Sequence, residues 1–560
     1  MYPDERKFTQ SDCSPRRKRL ELALLSIVIV GLIVAIQIHM GSYSAELAGD
    51  GTSHYISGLL VHDYIKTGFP NPLVYLKNFH SHYPLVGIGH WGPVYYAIEA
   101  VWMLVLSPGR TSVLLLTASI TAGTAVALYA FCRSWTNSLF ALLAALAFIA
   151  MPVVQESSGE VMLDIPIALL SFIAMWIYVK YIETGRAAFS ALFGLIASIA
   201  LLVKGNAGCL VLLPPLIILL ERRFDLLIKP SFWLPIPIVA ALSVPWYLFT
   251  YDLVAVGFRY HWGLDYTAIA TVASFQVLMA NAGPLLTTLA LLGGFDAMRR
   301  GRKASRLTGP LALFLSVWIC QTVIPAALQD RYLVALMPPL IILAIRGAQI
   351  TLALISTGAQ RLGLEGRHET ALSLVMVLIL GLSILSPALA AKTREHIGFS
   401  ELAYEVWTQR IPLNPSVLIV TNNDAEGTAI AELAMNDPQR PSIFAIRGSR
   451  LLGGGGYNNQ DYLPRFKTAE EVMREIDDYD IPLVLFRSDP TAKAWAHIGQ
   501  VQEAQRLYPE RWELIFRNRE ASPEISLYRI RGNAGKTGDL MKLLALSAPQ
   551  SLDNKLVAPK

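Results

Sequence analysis

The sequence predicts a multispan α-helical membrane protein that carries a small α/β domain at its C-terminal end. Three observations predict it. Of the 560 residues, 53% are hydrophobic and only 16% charged, whereas a soluble chain carries about a quarter charged residues. Apolar runs of near-spanning length recur between residues 21 and 391. Beyond them the pattern changes to short apolar strand-like runs alternating with helix-like ones.

The elements follow in chain order. A basic N-terminus (residues 1–20, with RRKR at 16–19) precedes the first run, 21–40. That run is too long for a cleaved leader and lacks a small-residue cleavage site, so it reads as a retained signal anchor with a cytoplasmic N-terminus. Residues 41–90 form an amphipathic stretch with carboxylates, histidines and tyrosines, SAELAGDGTSHYISGLLVHDYIKTGFPNP leading it. Further apolar runs fall at about 90–107, 111–132, 137–154, 161–182, 187–204, 207–221, 231–250, 274–294, 309–328, 332–346 and 370–391. They make up a transmembrane domain over 21–391 with about 11–13 helices.

Basic residues in the loops set the sides. Arg16–Arg19, Arg133, Arg186, Arg222, Arg223, the cluster from Arg299 to Arg306 and the segment from Arg346 to Arg367 all fall inside if 90–107 does not cross completely. That run is short and contains Glu99, so a re-entrant or juxtamembrane helix is expected. The outer side then receives 41–90, the Asp164 region, Lys204, the loop 251–273, Arg331 and everything after about 392. The net charge of +5 resides in these short loops and gives no reason to expect nucleic acid. Cys13, Cys132, Cys209 and Cys320 are scattered, without metal-ligand spacing or a disulfide framework.

Residues 392–535 read as an extracytoplasmic α/β domain with a largely parallel sheet. PSVLIVTNND, SIFAIRG and IPLVLFR read as strands, WELIFRN with ISLYRIRG as a closing pair, and AEGTAIAELAMN and TAEEVMREIDDYD as helices. GGGG at 453–456 lacks the lysine-hydroxyl ending of a phosphate loop and reads as a turn. The tail 536–560 is polar and expected to be disordered.

Polar residues at membrane depth are costly unless solvated, paired or functional. Asp50 is either a helix N-cap or a general base toward an acceptor hydroxyl. Asp164 in MLDIP is a cap before Pro166 or a second acid. Glu156 and Glu160, just before it, read as solvated, or as lining a cavity. Lys204 in LLVKG either snorkels to the interface or neutralises a phosphate, and Arg331 in QDRYL suits bidentate phosphate contact. His80, His82, Tyr83 and His90 share one loop and would bind a metal, bond a phosphate or stand exposed. The aromatic loop 257–266 adds Arg259, His261 and Asp265 on the same face.

HWGPVYYAI, MLDIPIALL, LLVKG, VPWYL and DRYLVALMPPL, following an acid soon after the first span, occur here in that order. This arrangement resembles the integral-membrane glycosyltransferases of the GT-C fold, nearest to the protein O-mannosyltransferases and the aminoarabinose transferases of lipid A. The resemblance covers about residues 20–350. It implies inverting transfer of a sugar from a polyprenyl-phosphate donor to a lipid, protein or polysaccharide acceptor outside the cytoplasm. It implies Asp50 and Asp164 as catalytic acids, Lys204 and Arg331 at the donor phosphate, and Tyr55, Tyr83, His90 and His261 around the sugar. Many members carry Asp-Glu where this chain has Asp50-Gly51, a departure that bears on the acceptor. No cofactor is required by such a reaction, and a divalent metal is the one addition left open. The compact loops and the single C-terminal α/β domain point to a bacterial inner membrane, with membrane lipids as neighbours. The competing class is a transporter or flippase of a lipid-linked substrate, although internal symmetry and mid-span charges are not evident.

Overall fold

The computed structural model describes residues 15–256, 262–361, 375–376, 378–379, 381–382, 391–408, 416–454, 462–487, 495–519 and 523–533. Cys13, Arg259, His261 and the tail from 536 lie outside the described residues.

Six helical stretches are long and apolar enough to cross a membrane: Arg19–His39, Arg110–Arg133, Asp164–Thr184, Pro230–Phe249, Leu264–Val323 and Asp330–Gly358. The helices Ser138–Ala150 and Pro152–Ser158, bent by 64° about Met151, make a seventh if taken as one span. Pro152 causes the break, because its ring cannot continue the preceding helix. Leu264–Val323 holds two helices, Leu264–Arg300 and Ser305–Val323. The first of these kinks at Gly283 (φ 68°), just before Pro284. Counting these two separately and the bent pair as one span, with the shorter apolar helices Ala187–Leu201 and Gly205–Glu221, gives ten candidate crossings among the described residues, just below the expected number. Run 370–391 lies mostly outside the described residues.

Val94–Val105 has 12 residues, roughly 18 Å of helix against about 30 Å of hydrocarbon. It therefore does not cross by itself, as the charge pattern requires. It lies on the Asp50–Lys66 helix, where Gly58 leaves the space that Glu99 fills. Between the two in the chain, Pro72–His82 begins on Asn71, whose side chain accepts the Leu73 and Val74 amides.

Past residue 391, the helix Phe399–Thr408 leads into a five-stranded sheet of order 444–447, 416–420, 483–487, 525–530, 512–518. The first three strands are parallel, and the last two add antiparallel. The parallel part is thus confined to three strands, because the last two strands of the chain pair antiparallel with each other and 525–530 runs antiparallel to 483–487. Alternation along the strands decides the packing. Val417, Ile419, Leu483 and Leu485 join the same apolar core as the transmembrane helices. Leu418, Val420, Val484 and Phe486 face a second core under the helices Ala469–Asp478 and Ala496–Leu507.

Candidate active site

Four charged residues meet at one end of the helix bundle, each at the end of a helical element. Asp50 is the first residue of Asp50–Lys66. The cap position belongs to Gly49, whose φ of 53° suits glycine and which makes no side-chain cap bond. The Asp50 carboxylate instead accepts a hydrogen bond from Arg331 Nη2. Asp164 likewise opens its helix without capping it. It is buried and accepts from Lys204 Nζ at 2.6 Å. Lys204 does not snorkel: after Ala187–Leu201 the backbone turns extended (φ −154°, ψ 134°), and the side chain points inward. Arg331, in the 3-10 turn Asp330–Leu336, reaches toward Asp164 as well, Nε to Oδ2 being 3.8 Å.

Two carboxylates and two cations balance in charge. Three buried polar atoms here, Asp164 Oδ2, Arg331 Nε and Glu160 Oε2, have no hydrogen-bond partner among the described residues. Unpaired buried polar atoms are uncommon and call for an explanation; a polar substrate entering the array would supply their partners. Burial pushes the Asp50 carboxyl up, but the Arg331 and Lys204 charges and the Arg331 hydrogen bond outweigh it, leaving Asp50 below its usual value.

Aromatic groups surround the array. Tyr332, adjacent to Arg331, puts its ring 4.6 Å from Lys204 Nζ. His54, one helical turn beyond Asp50, is buried, with Nδ1 3.0 Å from the Tyr96 hydroxyl. Burial lowers its pKa to about 3, outweighing the pull of Asp50, so it stays neutral. Trp91 lies between His54 and His90, at ring separations of 4.5 and 4.7 Å. His90 Nδ1 meets the Leu253 carbonyl oxygen at 3.2 Å. Gly92 lets this loop lie flat on the Leu202 backbone, two residues before Lys204.

Of the residues singled out in the sequence, the structure brings Asp50, Asp164, Lys204 and Arg331 together, with His90 beside them. Tyr55 and Tyr83 go elsewhere: the first donates to the Pro108 carbonyl at 2.9 Å, and the second donates to Asp437. Glu160, read as solvated or cavity-lining, is largely enclosed and paired with Arg394 at 3.1 Å. A Cβ at residue 51 would sit 3.1 Å from its Oε2, so Glu160 takes up the space beside Gly51. Burial raises the Glu160 pKa, outweighing Arg394 and Arg331. His54 and Tyr332 were missed; the spacing of four from Asp50 and the adjacency to Arg331 were the available signals. Arg394 carried no local signal at all.

Among the described residues, the histidines of the 80–90 loop form no close group of possible metal-ligand atoms. His82 stacks on Phe444 at 3.7 Å and its Nδ1 meets the Asn78 carbonyl at 2.7 Å, whereas His90 meets the Leu253 carbonyl. Among the described residues, Glu46, His396 and Glu401 bring ligand atoms within 4.8 Å of one another. Glu46 there already accepts the amides of Ile397, Gly398 and Phe399.

The family model of dolichyl-phosphate-mannose-protein mannosyltransferases matches residues 90–249. None of the curated proteins matches the chain by sequence. Among solved structures, ArnT from Cupriavidus metallidurans in the apo state aligns with TM-score 0.57 at 13% identity, over 94% of this chain and 99% of that one. The same protein bound to undecaprenyl phosphate aligns with TM-score 0.55 at 13% identity, over 91% and 99%. The archaeal oligosaccharyltransferase AglB from Archaeoglobus fulgidus, in complex with an inhibitory peptide and a dolichol-phosphate, gives TM-score 0.55 at 13% identity, over 92% of this chain and 75% of that one. The fold is GT-C: a multi-pass helical membrane domain followed by a small α/β region.

Proposed function

We propose that the chain transfers a sugar, with inversion, from a polyprenyl-phosphate carrier to an acceptor on the extracytoplasmic side of a bacterial inner membrane. The observation that carries the reading is the array of Asp50, Arg331, Asp164 and Lys204 at one end of the bundle. The mannosyltransferase match over 90–249 supports it, as do fold neighbours holding undecaprenyl phosphate or a dolichol-phosphate. Charges gathered at helix ends, rather than at mid-span, favour an enzyme over a transporter.

The mechanism follows from the charge balance. A donor phosphate entering beside Lys204 and Arg331 competes with Asp50 for the guanidinium. Asp50 is thereby released to accept the proton of the acceptor hydroxyl. The acceptor oxygen forms its bond to the anomeric carbon from the opposite face while the carbon–oxygen bond to the carrier phosphate breaks. The electron pair leaves on the polyprenyl phosphate, where Lys204 and Arg331 stabilise the growing charge. Asp164 holds Lys204 in place, and the proton passes from Asp50 to solvent. No step requires a nucleotide. The acceptor is a lipid, protein or polysaccharide hydroxyl.

The test is transfer from a radiolabelled polyprenyl-phosphate sugar by the wild type and by Asp50→Asn, in detergent with an acceptor extract. Loss of transfer by at least ~10²-fold is expected, with expression and donor binding retained. Near-normal turnover by the variant would overturn the assignment of Asp50 as base.

A further inference from the structure

The turn that presents Asp50 is held largely from the far end of the chain. Glu46, four residues earlier and completely buried, accepts the amides of Ile397, Gly398 and Phe399 at 2.7–2.9 Å. Thr428 Oγ1 donates to the Leu47 carbonyl at 3.0 Å. Arg394 forks over the Glu46 carbonyl at 2.7 Å, the Gly159 carbonyl at 2.8 Å and the Glu160 carboxylate at 3.1 Å. Gly427 packs so closely on Thr52 that a Cβ there would lie 2.9 Å from its hydroxyl.

Buried carboxylates pair across the rest of this contact. Glu432 takes Arg110 at 2.7 Å, Asp63 takes Arg440 at 2.9 Å, and Asp437 takes Tyr83, all three carboxylates being buried. Sliding or rotating the α/β region would strand buried carboxylates without partners, which is far more costly than their pairing is favourable. Residues of Phe399–Thr408, of Asn423–Asn436 and of the inner sheet face also belong to the transmembrane core. A domain merely tethered by its linker would need neither feature.

We infer that the C-terminal region is a positioning part of the catalytic site: through Arg394, Glu46 and Thr428 it fixes residues 44–52 so that Asp50 meets Arg331 and the acceptor. The three are positioning residues, since they reach the reacting atoms only through the Asp50 turn. The inference rests on the reading of Asp50 given above.

Wild type is compared with Glu46→Gln, Arg394→Met, Thr428→Val and Thr428→Ser. Transfer kcat, polyprenyl-phosphate binding stoichiometry and affinity, and amide exchange of residues 44–52 are measured on the full chain. The first three variants should lose about tenfold or more in kcat, as small misplacements of a reacting group do. One donor should still bind per chain, with affinity no more than about twofold weaker than wild type, because Lys204 and Arg331, which meet the phosphate, are untouched and a loosened Asp50 competes less for Arg331. Exchange over 44–52 should rise, and Thr428→Ser, which keeps the hydroxyl, should restore kcat. Unchanged kcat despite faster exchange would overturn the inference. Donor binding lost in proportion to kcat would overturn it too, by assigning a purely structural role. A wild type that binds polyprenyl phosphate but transfers nothing would instead sink the reading of the enzyme itself, before any variant is compared.

Discussion

At the residue scale, the site depends on how each charge is compensated. Lys204 and Asp164 are both nearly enclosed and bonded at 2.6 Å. Asp164→Asn leaves a buried ammonium without its counter-charge, a cost of roughly 3–5 kcal/mol. A fall in thermal stability in detergent is therefore expected. The double variant Asp164→Leu/Lys204→Met should regain much of that stability while remaining inactive. Stability that stays low in the double variant would show that the pair does more than cancel its own burial. Asp50 behaves differently because its side chain is 41% exposed. Burial raises its pKa, and the nearby cations more than reverse that, so the folded value lies below the unfolded one. Its contribution is therefore present above the unfolded pKa and lost as pH falls through the folded one. The acidic limb of kcat/KM in the free enzyme should lie below about pH 4. A limb near pH 6 would assign the titration to another group.

At the element scale, glycines set how closely segments approach. At Gly92 the 87–94 loop touches the Leu202 backbone, with the Val94 amide on its carbonyl at 3.1 Å. Gly92→Ala should separate the loop from the Lys204 turn, lowering donor affinity more than helix content; unchanged affinity would show that the contact is dispensable. The segment that enters the α/β region carries a second lever. His396 meets Glu46 at 3.2 Å and Glu401 at 2.8 Å. Burial lowers its pKa, but the two carboxylates outweigh this and raise it. A raised histidine contributes below its unfolded pKa, and that contribution is lost as pH rises through the folded one. Amide exchange over 394–401 should thus quicken as pH rises above the ordinary histidine value. His396→Gln should abolish that pH dependence, and its persistence would point to another titrating group.

On the scale of the whole molecule, hydropathy and charge made the membrane part legible because a helix facing lipid must be apolar over its own length. Arg19–His39, only 17% buried, is such a helix. The strands after residue 416 were equally legible through their short apolar runs. The relation of that region to the membrane part was not. The residues that join them carry the same letters as surface ion pairs would, and only their enclosure distinguishes Asp63, Glu432 and Asp437. Arg440→Gln should therefore destabilise the intact chain well beyond the roughly 0–1 kcal/mol of a surface pair. A loss within that range would show the interface to be solvated.

The sequence by itself determined the class of protein, the end of the bundle where polar residues gather and the residue types available there. These are local properties: burial in lipid and periodic alternation act on each segment separately. The pairing of the charges was decided by the tertiary structure alone. Arg331 finds Asp50 across 281 residues and Tyr83 finds Asp437 across 354, and no local pattern records such a meeting. Tyr83 reads as a pocket residue until its partner is seen, and Gly51 as a missing acid until Glu160 fills the space beside it. Pairing at that range depends on the path of the whole chain, because an ion pair is fixed by the position of two side chains and not by the sequence around either.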